Sequence, residues 1–326
     1  MLNSPPIVLA PLAGGPCTPE LTAAVSNAGG LGFLAAGYLT PEVFAERLRR
    51  TRELTREQIG VNVFVLNEGD VDDEVVAAYA RELAPVAHAR GVALGEARFD
   101  DDWLEAKLDM IVRARVEVVS TTFGCLTPET VARLQEHGTQ VWATVTAQHE
   151  ARAASDAGVD ALVVQGAEAG GHRGAWRDDG EPIPLLDLLP SIDVGLPLVA
   201  TGGIVDRDGV TAALAAGASA AQIGTAFLLC PEAGTSEPHR RSLQGDAPTA
   251  FTRAFTGRSA RGIVNRFMVE HPNAPSAYPQ IQHLTAPLRA AARSAGDADA
   301  INLWAGVNYA RAEALPASEI VAKLGA

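Results

Sequence analysis

The sequence predicts an α/β protein whose core is a (β/α)8 TIM barrel with a C-terminal helical extension. Short runs of apolar, β-branched residues alternate with amphipathic Ala/Leu/Arg segments that end in glycine, as parallel β/α units do. Eight such units occupy about 245 residues, which matches the barrel in number and size. An open doubly wound sheet shows the same alternation, but the GxGxxG turn expected after its first strand is absent.

Eight segments are expected to form the barrel strands. They are Ile7–Leu12, Leu31–Ala35, Ile59–Val65, Val116–Thr122, Gln140–Val145, Ala161–Gln165, Leu198–Thr201 and Ala220–Thr225. Helices are expected between them at Pro19–Ala28, Pro41–Leu54, Glu74–Arg90, Pro128–His137, Ala147–Ala157, Leu185–Ile192 and Arg207–Ala216. We therefore expect residues 1–245 to form the barrel. Residues 246–326, with helices at Ala286–Ser294 and Ser318–Leu324, are expected to form an extension that packs on it.

Composition and charge exclude several classes of protein. With 47% hydrophobic and 20% charged residues, a chain of 326 residues buries a substantial core and is not disordered. The 26 Lys and Arg against 39 Asp and Glu give a formal net charge of −13, and no basic run is present. This balance argues against nucleic acid or an anionic membrane as the main partner.

Cysteine spacing and the first residues bear on location. Cys17, Cys125 and Cys230 have no paired spacing for zinc or iron–sulfur ligation, so no metal site is expected. The first basic residue is Arg47, so the N-terminal region lacks the positive segment of a secretory signal. The longest uncharged run, 209–231, is rich in Ala, Gly, Thr and Gln, and we expect a buried helix and strand there. These features predict a cytoplasmic protein.

In a barrel, functional residues lie where each strand gives way to the following loop. After the first strand, the motif APLAGG over residues 10–15 would bring backbone close to a flat ligand, although an ordinary glycine turn has the same pattern. After the third strand, GVNVFV places Asn62 among apolar neighbours, where a buried amide needs hydrogen-bond partners. A structural amide bonded to a neighbouring loop would explain Asn62 equally well.

The segment VVQGAEAGGHRG over residues 163–174 is the most informative stretch. The amide of Gln165 is followed by four glycines that bracket Glu168, His172 and Arg173. A tight loop of this kind can hold His172 against a ligand, and an imidazole whose pKa is near neutrality suits proton transfer. A solvated loop histidine is the alternative.

Two further loops indicate a phosphate-bearing ligand. ATGGI, with Gly202 and Gly203, follows the seventh strand, and QIGT over 222–225 follows the eighth. In many barrels these loops bind phosphate through backbone N–H groups, and the hydroxyl of Thr225 would add a donor. Glycine packing between strand and helix is the alternative.

Other polar residues are given structural roles. Cys125 is expected to line the pocket without acting as a thiolate, and Asp100–Asp102 to form the acidic first turn of a helix. The remaining histidines are expected to be solvated for the most part; they are His88, His137, His149, His239, His271 and His283.

Six ordered motifs together resemble the FMN-dependent nitronate monooxygenase family, also called 2-nitropropane dioxygenases, over nearly the whole chain. They are APLAGG, SNAGGLGFLAAG, GVNVF, QGAEAGGHRG, TGGI with QIGT, and AFTGRSARGIVNRF. The resemblance implies a TIM barrel with FMN bound at the strand mouths. It also implies oxidation of nitronates by O2 to carbonyl compounds and nitrite without reduced nicotinamide.

The family resemblance also implies roles for individual residues. His172 is the implied catalytic residue, which positions the substrate or serves as base for a neutral nitroalkane, while FMN carries the redox chemistry. The implied FMN contacts are the backbone of Ala10 and Pro11, the amides of Asn62 and Gln165, and Gly170, Gly203, Gln222, Ile223, Gly224 and Thr225.

Some features leave alternatives open. Leu12 stands where the family commonly has Met, and Trp304 and Tyr309 could close the pocket or belong to the core. The flavin-dependent enoyl-[acyl-carrier-protein] reductases are related barrels with an EAGGH-type loop, and they use NAD(P)H. GVNVF and TGRSARG favour the monooxygenases. A non-catalytic flavin or phosphate sensor is the third alternative, and it requires that His172 face away from the ligand.

Overall fold

The structure is a computed structural model that describes residues 7–69 and 71–325. The outermost residues of the two predicted regions, 1–6 and 326, lie outside this description. The strands are β1 (Ile7–Leu9), β2 (Gly32–Ala35), β3 (Ile59–Phe64), β4 (Val118–Thr122), β5 (Gln140–Val145), β6 (Ala161–Gln165), β7 (Gly171–His172), β8 (Leu198–Thr201), β9 (Ala220–Ile223), β10 (Thr249–Thr252) and β11 (Ala260–Ile263). The helices are α1 (Pro19–Asn27), α2 (Pro41–Leu54), α3 (Asp73–Ala89), α4 (Leu104–Arg113), α5 (Pro128–Glu136), α6 (Gln148–Asp156), α7 (Leu185–Leu188), α8 (Arg207–Ala215), α9 (Glu237–Ser242), α10 (Arg266–Glu270), α11 (Gln280–Ser294) and α12 (Ala317–Gly325).

All eight predicted barrel strands are present. They form one parallel sheet in the order β1-β9-β8-β6-β5-β4-β3-β2. The sheet closes between β1 and the start of β2, where Leu9 N donates to Leu31 O at 2.9 Å and Leu31 N donates to Ile7 O at 3.0 Å. The predicted TIM barrel is therefore confirmed, and its loops after the strands converge on one end of the barrel.

The interior of the barrel is filled by inward side chains. Phe33 on β2 and Trp142 on β5 meet across it, with ring centroids 5.7 Å apart. Gly60 on β3 leaves room for Phe33, because a Cβ there would lie 2.4 Å from that ring. The interior is thus a packed core, and a ligand must bind at its mouth.

Three of the outer helices begin with the same local signal. Thr18, Thr40 and Thr127 each precede a proline at the first helical position, and each hydroxyl accepts from the backbone N–H three residues later. Thr-Pro satisfies a free N–H of the first turn and presets its backbone angle, so these helices begin where the sequence predicts.

Residues after the eighth barrel strand form a second core with an element from the first half. The helix α3 contributes Tyr79 and Leu83, which pack in one apolar cluster with Phe255, Ile281 and other residues of the C-terminal part. The helix α12 instead packs against α1, α8 and β1 in the helical layer of the barrel. The division at residues 245 and 246 stays a prediction, and these contacts couple the two regions closely.

The C-terminal part also contains a small sheet that the sequence patterns did not predict. The strands β10, β11 and β7 pair antiparallel, and β7 belongs to the loop after β6. The helix α11 begins at Gln280 and continues through Pro287, whereas the predicted start was Ala286. A proline is typical of a first helical turn, which explains the difference.

The acidic run Asp100–Asp102 does not form the first turn of a helix, so that prediction was wrong. The helix α4 begins at Leu104, and Asp102 and Trp103 before it have left-handed backbone angles. The Asp102 side chain is buried and its Oδ2 lies 2.7 Å from the fully buried Nζ of Lys107. In the described ranges no helix is both long and apolar enough to cross a membrane, and the uncharged run 209–231 contains most of α8 and all of β9.

Candidate active site

A cavity of about 500 Å³ opens at the carboxyl ends of the barrel strands. Loops after the barrel strands form one side, and residues of α11 and of the segment 301–308 form the other. Ten of the predicted site residues line it: Ala10, Pro11, Asn62, Gln165, Gly170, His172, Gly203, Gln222, Gly224 and Thr225. Ile223 does not, because its side chain is buried between the barrel and its helices.

The backbone of His172 is held by the C-terminal part of the chain. His172 lies in β7 and pairs with Ala260 of β11, and Arg173 N donates to Ser259 O at 2.9 Å. Gln165 at the end of β6 completes the support, since its Nε2 donates to His172 O at 3.1 Å and its Oε1 accepts from Gly174 N at 2.6 Å. Gln165 therefore fixes the loop that carries His172 and also lines the cavity.

The imidazole of His172 lies in an aromatic enclosure. Its ring centroid is 5.7 Å from those of Phe123 and Tyr278 and 5.6 Å from that of Trp304. Burial, with the positive charges of Arg258 and Arg289 as smaller causes, lowers the pKa of His172 to about 3. The sequence-based expectation of a pKa near neutrality is not met, and His172 is a neutral imidazole at neutral pH.

Thr256 sets the orientation of that imidazole. His172 Nε2 lies 2.9 Å from Thr256 Oγ1, and the same hydroxyl donates to Arg258 O at 3.2 Å. With its one proton on the Arg258 carbonyl, the hydroxyl accepts from Nε2–H, so Nδ1 carries the free lone pair. The geometry thus provides an unprotonated nitrogen with no hydrogen-bond partner in the described parts of the chain.

Asn62 on β3 presents an acceptor to the cavity. Its Nδ2 donates to Ser120 O at 3.1 Å, to Ser120 Oγ at 3.0 Å and to Thr122 Oγ1 at 3.0 Å. The Ser120 carbonyl can only accept, which fixes the amide orientation and leaves Oδ1 to accept from a ligand.

The glycine loops bring backbone directly to the cavity. Gly203 has a φ of +71°, and a Cβ there would lie 2.8 Å from Glu168 Cβ. Gly170 is equally restricted, because its Cβ would lie 2.4 Å from Gly306 N. Thr225 begins a short 3-10 turn, and its Oγ1 accepts from Gly306 N at 3.0 Å, so its own proton is free for a ligand. These features suit an anionic group held by N–H and O–H donors.

A second unused donor lies beside this turn. Gln222 on β9 is buried and lines the cavity, and its Nε2 has no hydrogen-bond partner within residues 7–69 and 71–325. A buried amide donor without a partner is costly, so a ligand acceptor here would relieve the cost.

The sequence matches the nitronate monooxygenase family over residues 1–326. The chain belongs to that family. A nitronate monooxygenase of Paraburkholderia phytofirmans is 39% identical to it and covers 98% of this chain and 91% of its own length. A probable nitronate monooxygenase of Staphylococcus aureus is 34% identical over 98% of this chain and 93% of its own. As a nitronate monooxygenase family member, the chain is an oxidoreductase.

Solved structures agree with this placement in the nitronate monooxygenase family. The nitroalkane oxidase of Streptomyces ansochromogenes superposes with a TM-score of 0.95 at 48% identity and covers 98% of this chain and 94% of that one. The FabK protein of Thermotoga maritima gives a TM-score of 0.74 at 24% identity over 98% of this chain and 91% of that one, which is a likeness of fold.

Several cavity residues of this nitronate monooxygenase family member carried no sequence signal. Tyr38, Arg289 and Arg293 line the cavity, and so does His239, one of the histidines expected from the sequence to be mostly solvated. His239 and His271 are buried instead. Polar residues on an amphipathic helix normally face solvent, so the sequence of α11 did not predict that its arginines line a cavity.

Of Trp304, Tyr309 and Cys125, which could line the pocket, only Trp304 does so. Trp304 and Leu12 line the cavity, whereas Tyr309 is buried in the second core and donates to Ala247 O at 2.7 Å. Cys125 is half-buried and is not a lining residue; burial raises the pKa of its thiol to about 11. Across the described ranges no three His, Cys, Asp or Glu side chains come together to hold a metal ion.

Proposed function

We propose that this protein binds FMN and oxidises alkyl nitronates with O2 to a carbonyl compound and nitrite, and that it also accepts neutral nitroalkanes. The observation that carries the proposal is the neutral His172, with its free Nδ1, in a cavity that Gly203, Gly224 and Thr225 also line. Membership of the nitronate monooxygenase family supports the reaction type.

The residues at the strand mouths fit FMN. Gly203, Gly224 and Thr225 would hold its phosphate through backbone N–H groups and one hydroxyl. Asn62 Oδ1 and Gln222 Nε2 offer one acceptor and one donor that the protein leaves free. When bound, FMN supplies the electron transfer between nitronate and O2 that no side chain here can perform.

The protein's part in the reaction is to bind and orient the substrate and to move one proton. A neutral nitroalkane must lose a proton from the carbon that bears the nitro group, and His172 Nδ1 is the free base in the cavity. The low pKa keeps this base unprotonated, and the anion formed beside it stabilises the imidazolium that results. A nitronate needs no such step.

The enclosure of His172 also limits water. Phe123, Tyr278 and Trp304 surround the imidazole. An apolar surrounding strengthens the electrostatic interactions of the reacting group and reduces proton exchange with solvent.

The test is steady-state turnover of the FMN-loaded protein on a nitroalkane and on its pre-ionised nitronate. His172→Asn should lose about 10²–10⁴-fold on the nitroalkane and much less on the nitronate, with FMN content near that of the wild type. Equal losses on both would reject the base role and leave a positioning role.

A parallel assay with reduced nicotinamide and an enoyl thioester separates the reductase alternative. Reduction of the thioester with no nitronate turnover would replace the proposed reaction. A protein that binds flavin but turns over neither substrate would support the sensor alternative.

A further inference from the structure

The cavity lining contains two arginines to which the proposed function assigns no role. They are Arg289 and Arg293, and within the described residues the lining contains no Asp or Glu. The chain as a whole has 39 acidic and 26 basic residues, so a cavity lined by arginines and by no carboxylate differs in charge from the rest of the protein. A cavity of this kind attracts an anionic ligand.

Arg289 is buried and held only by neutral groups. Its Nε donates to Thr285 Oγ1 at 3.0 Å, and its Nη2 donates to Gln282 O at 2.9 Å and to Gln282 Oε1 at 2.8 Å. Nη1 makes one long contact, 3.4 Å to Asn302 Oδ1. A guanidinium has five N–H donors, so one proton on Nη1 has no partner in the described structure.

Other charged groups in the same molecule show what a structural role looks like. Arg240 directs its guanidinium to the backbone oxygens of Leu229, Cys230, Ala233 and Thr235 at 2.6–3.1 Å. The buried Lys107 has the carboxylate of Asp102. Arg289 has neither a carboxylate nor a full set of carbonyls, although a buried cation normally requires one or the other.

Arg289 and His172 line the same cavity. The positive charge of Arg289 is one of the causes that lower the pKa of His172. The charge of Arg289 also interacts with Tyr38 and Tyr278, whose hydroxyls lie 3.2 Å apart. The residues proposed above to hold the FMN phosphate are Gly203, Gly224 and Thr225.

We propose that Arg289 binds the oxygen atoms of the nitro or nitronate group, with its free Nη1 proton and its charge directed to them. The inference rests on the proposed function. In the nitroalkane reaction the proton passes from carbon to His172 Nδ1, the C–H electron pair becomes the C=N π bond, and a nitro oxygen takes the negative charge. Arg289 stabilises that oxygen, and in the nitronate reaction it binds the anion already formed.

Nitrate is the probe, because it is a planar anion with a nitrogen and oxygens like the nitronate group and is not oxidised. Its affinity is measured by isothermal titration calorimetry on the FMN-loaded protein, in chloride-free buffer. Arg289→Gln should weaken nitrate binding about 10- to 100-fold, the range of one charge-assisted contact. Arg289→Lys keeps the charge without the planar fork and should lose less. Arg241→Gln, on the exposed face of α9, removes the same charge and should leave affinity unchanged.

Turnover gives a second readout. Arg289→Gln should raise KM for the nitronate, because the nitronate oxygens already carry the negative charge when the substrate binds. It should lower kcat for the neutral nitroalkane, because there the negative charge develops only as the proton is removed. FMN content, measured after acid release, should match the wild type.

The outcomes are distinguishable. A folded Arg289→Gln protein with wild-type nitrate affinity and kinetics overturns the inference and leaves the proposed function intact. Loss of FMN with unchanged nitrate affinity at FMN saturation also overturns it, because Arg289 would then serve the cofactor. If Arg289→Gln fails to fold, Arg289→Lys provides the test. Wild-type kcat and nitrate affinity in Arg289→Lys would refute binding of the oxygens by the guanidinium. Weaker nitrate binding with normal FMN content would support it. A wild type that binds nitrate through Arg289 but oxidises no nitronate refutes the proposed function alone.

Discussion

The hydroxyl of Thr256 is expected to control proton transfer without touching the substrate. Thr256→Val keeps the shape of the side chain and removes its oxygen, which lies 2.9 Å from His172 Nε2 and 3.2 Å from Arg258 O. The imidazole then loses its hydrogen-bond partner, and Nδ1 is no longer held toward the cavity. Because a misplaced base loses much of its advantage, we expect kcat/KM for a neutral nitroalkane to fall by about 10- to 100-fold.

The same substitution has a calculable effect on stability. Two partly buried hydrogen bonds of about 1 kcal/mol each are lost, and the Arg258 carbonyl is left without that donor. We expect the free energy of unfolding to fall by about 1–3 kcal/mol, which lowers Tm by about 2–4 °C for a chain of this length. Thermal unfolding followed by circular dichroism gives this value separately from activity.

The assay compares the nitroalkane with its nitronate at equal FMN occupancy. Thr256→Val should retain nitronate turnover within a few-fold, because that substrate needs no proton removed, and Thr256→Ser should behave like the wild type on both substrates. A folded Thr256→Val protein with undiminished nitroalkane turnover would refute the argument that Thr256 orients the base.

Three further predictions follow from the same geometry. The pKa of His172 is about 3 in the folded chain and about 6.5 when unfolded, so between these pH values only the unfolded state binds this proton. The free energy of unfolding, measured by urea titration, should therefore fall as the pH drops from about 6.5. The acid limb of the pH profile for nitroalkane turnover should lie below pH 6.5. Thr225→Ala should weaken FMN retention about ten- to a hundred-fold in equilibrium dialysis, and Thr225→Ser should retain it, because the hydroxyl is assigned to the phosphate. Lys107→Met should destabilise the fold by about 3–5 kcal/mol in urea titrations, because it leaves Asp102 buried without its partner, and adding Asp102→Asn should recover part of the loss.

The barrel could be predicted from the sequence because its signals are local. Each β/α unit can be recognised within about thirty residues from an apolar run, a Thr-Pro helix start or a closing glycine. The strand β7 could not be predicted, since Gly171 and His172 show no alternation and become a strand only by pairing with β11.

The candidate site was predictable in its residues and less so in its chemistry. Ten of the residues indicated by glycine-rich loops and strand-end amides line the cavity, because a barrel places all such loops at one end, and their roles toward FMN and substrate stay predictions. The pKa of His172 depends on burial and on Arg258 and Arg289, and its orientation on Thr256, 84 residues along the chain. No spacing rule connects residues so far apart.

The pairing of β7 with β11 joins two distant parts of the sequence in the candidate site. The barrel loops supply the groups proposed to bind FMN, whereas the position of His172 is set by residues 256–261 together with Gln165. Variation in that short stretch can therefore retune proton transfer while the cofactor contacts stay as they are. A mutational library confined to it would explore substrate preference at little risk to flavin binding, which makes it a natural starting point for laboratory evolution.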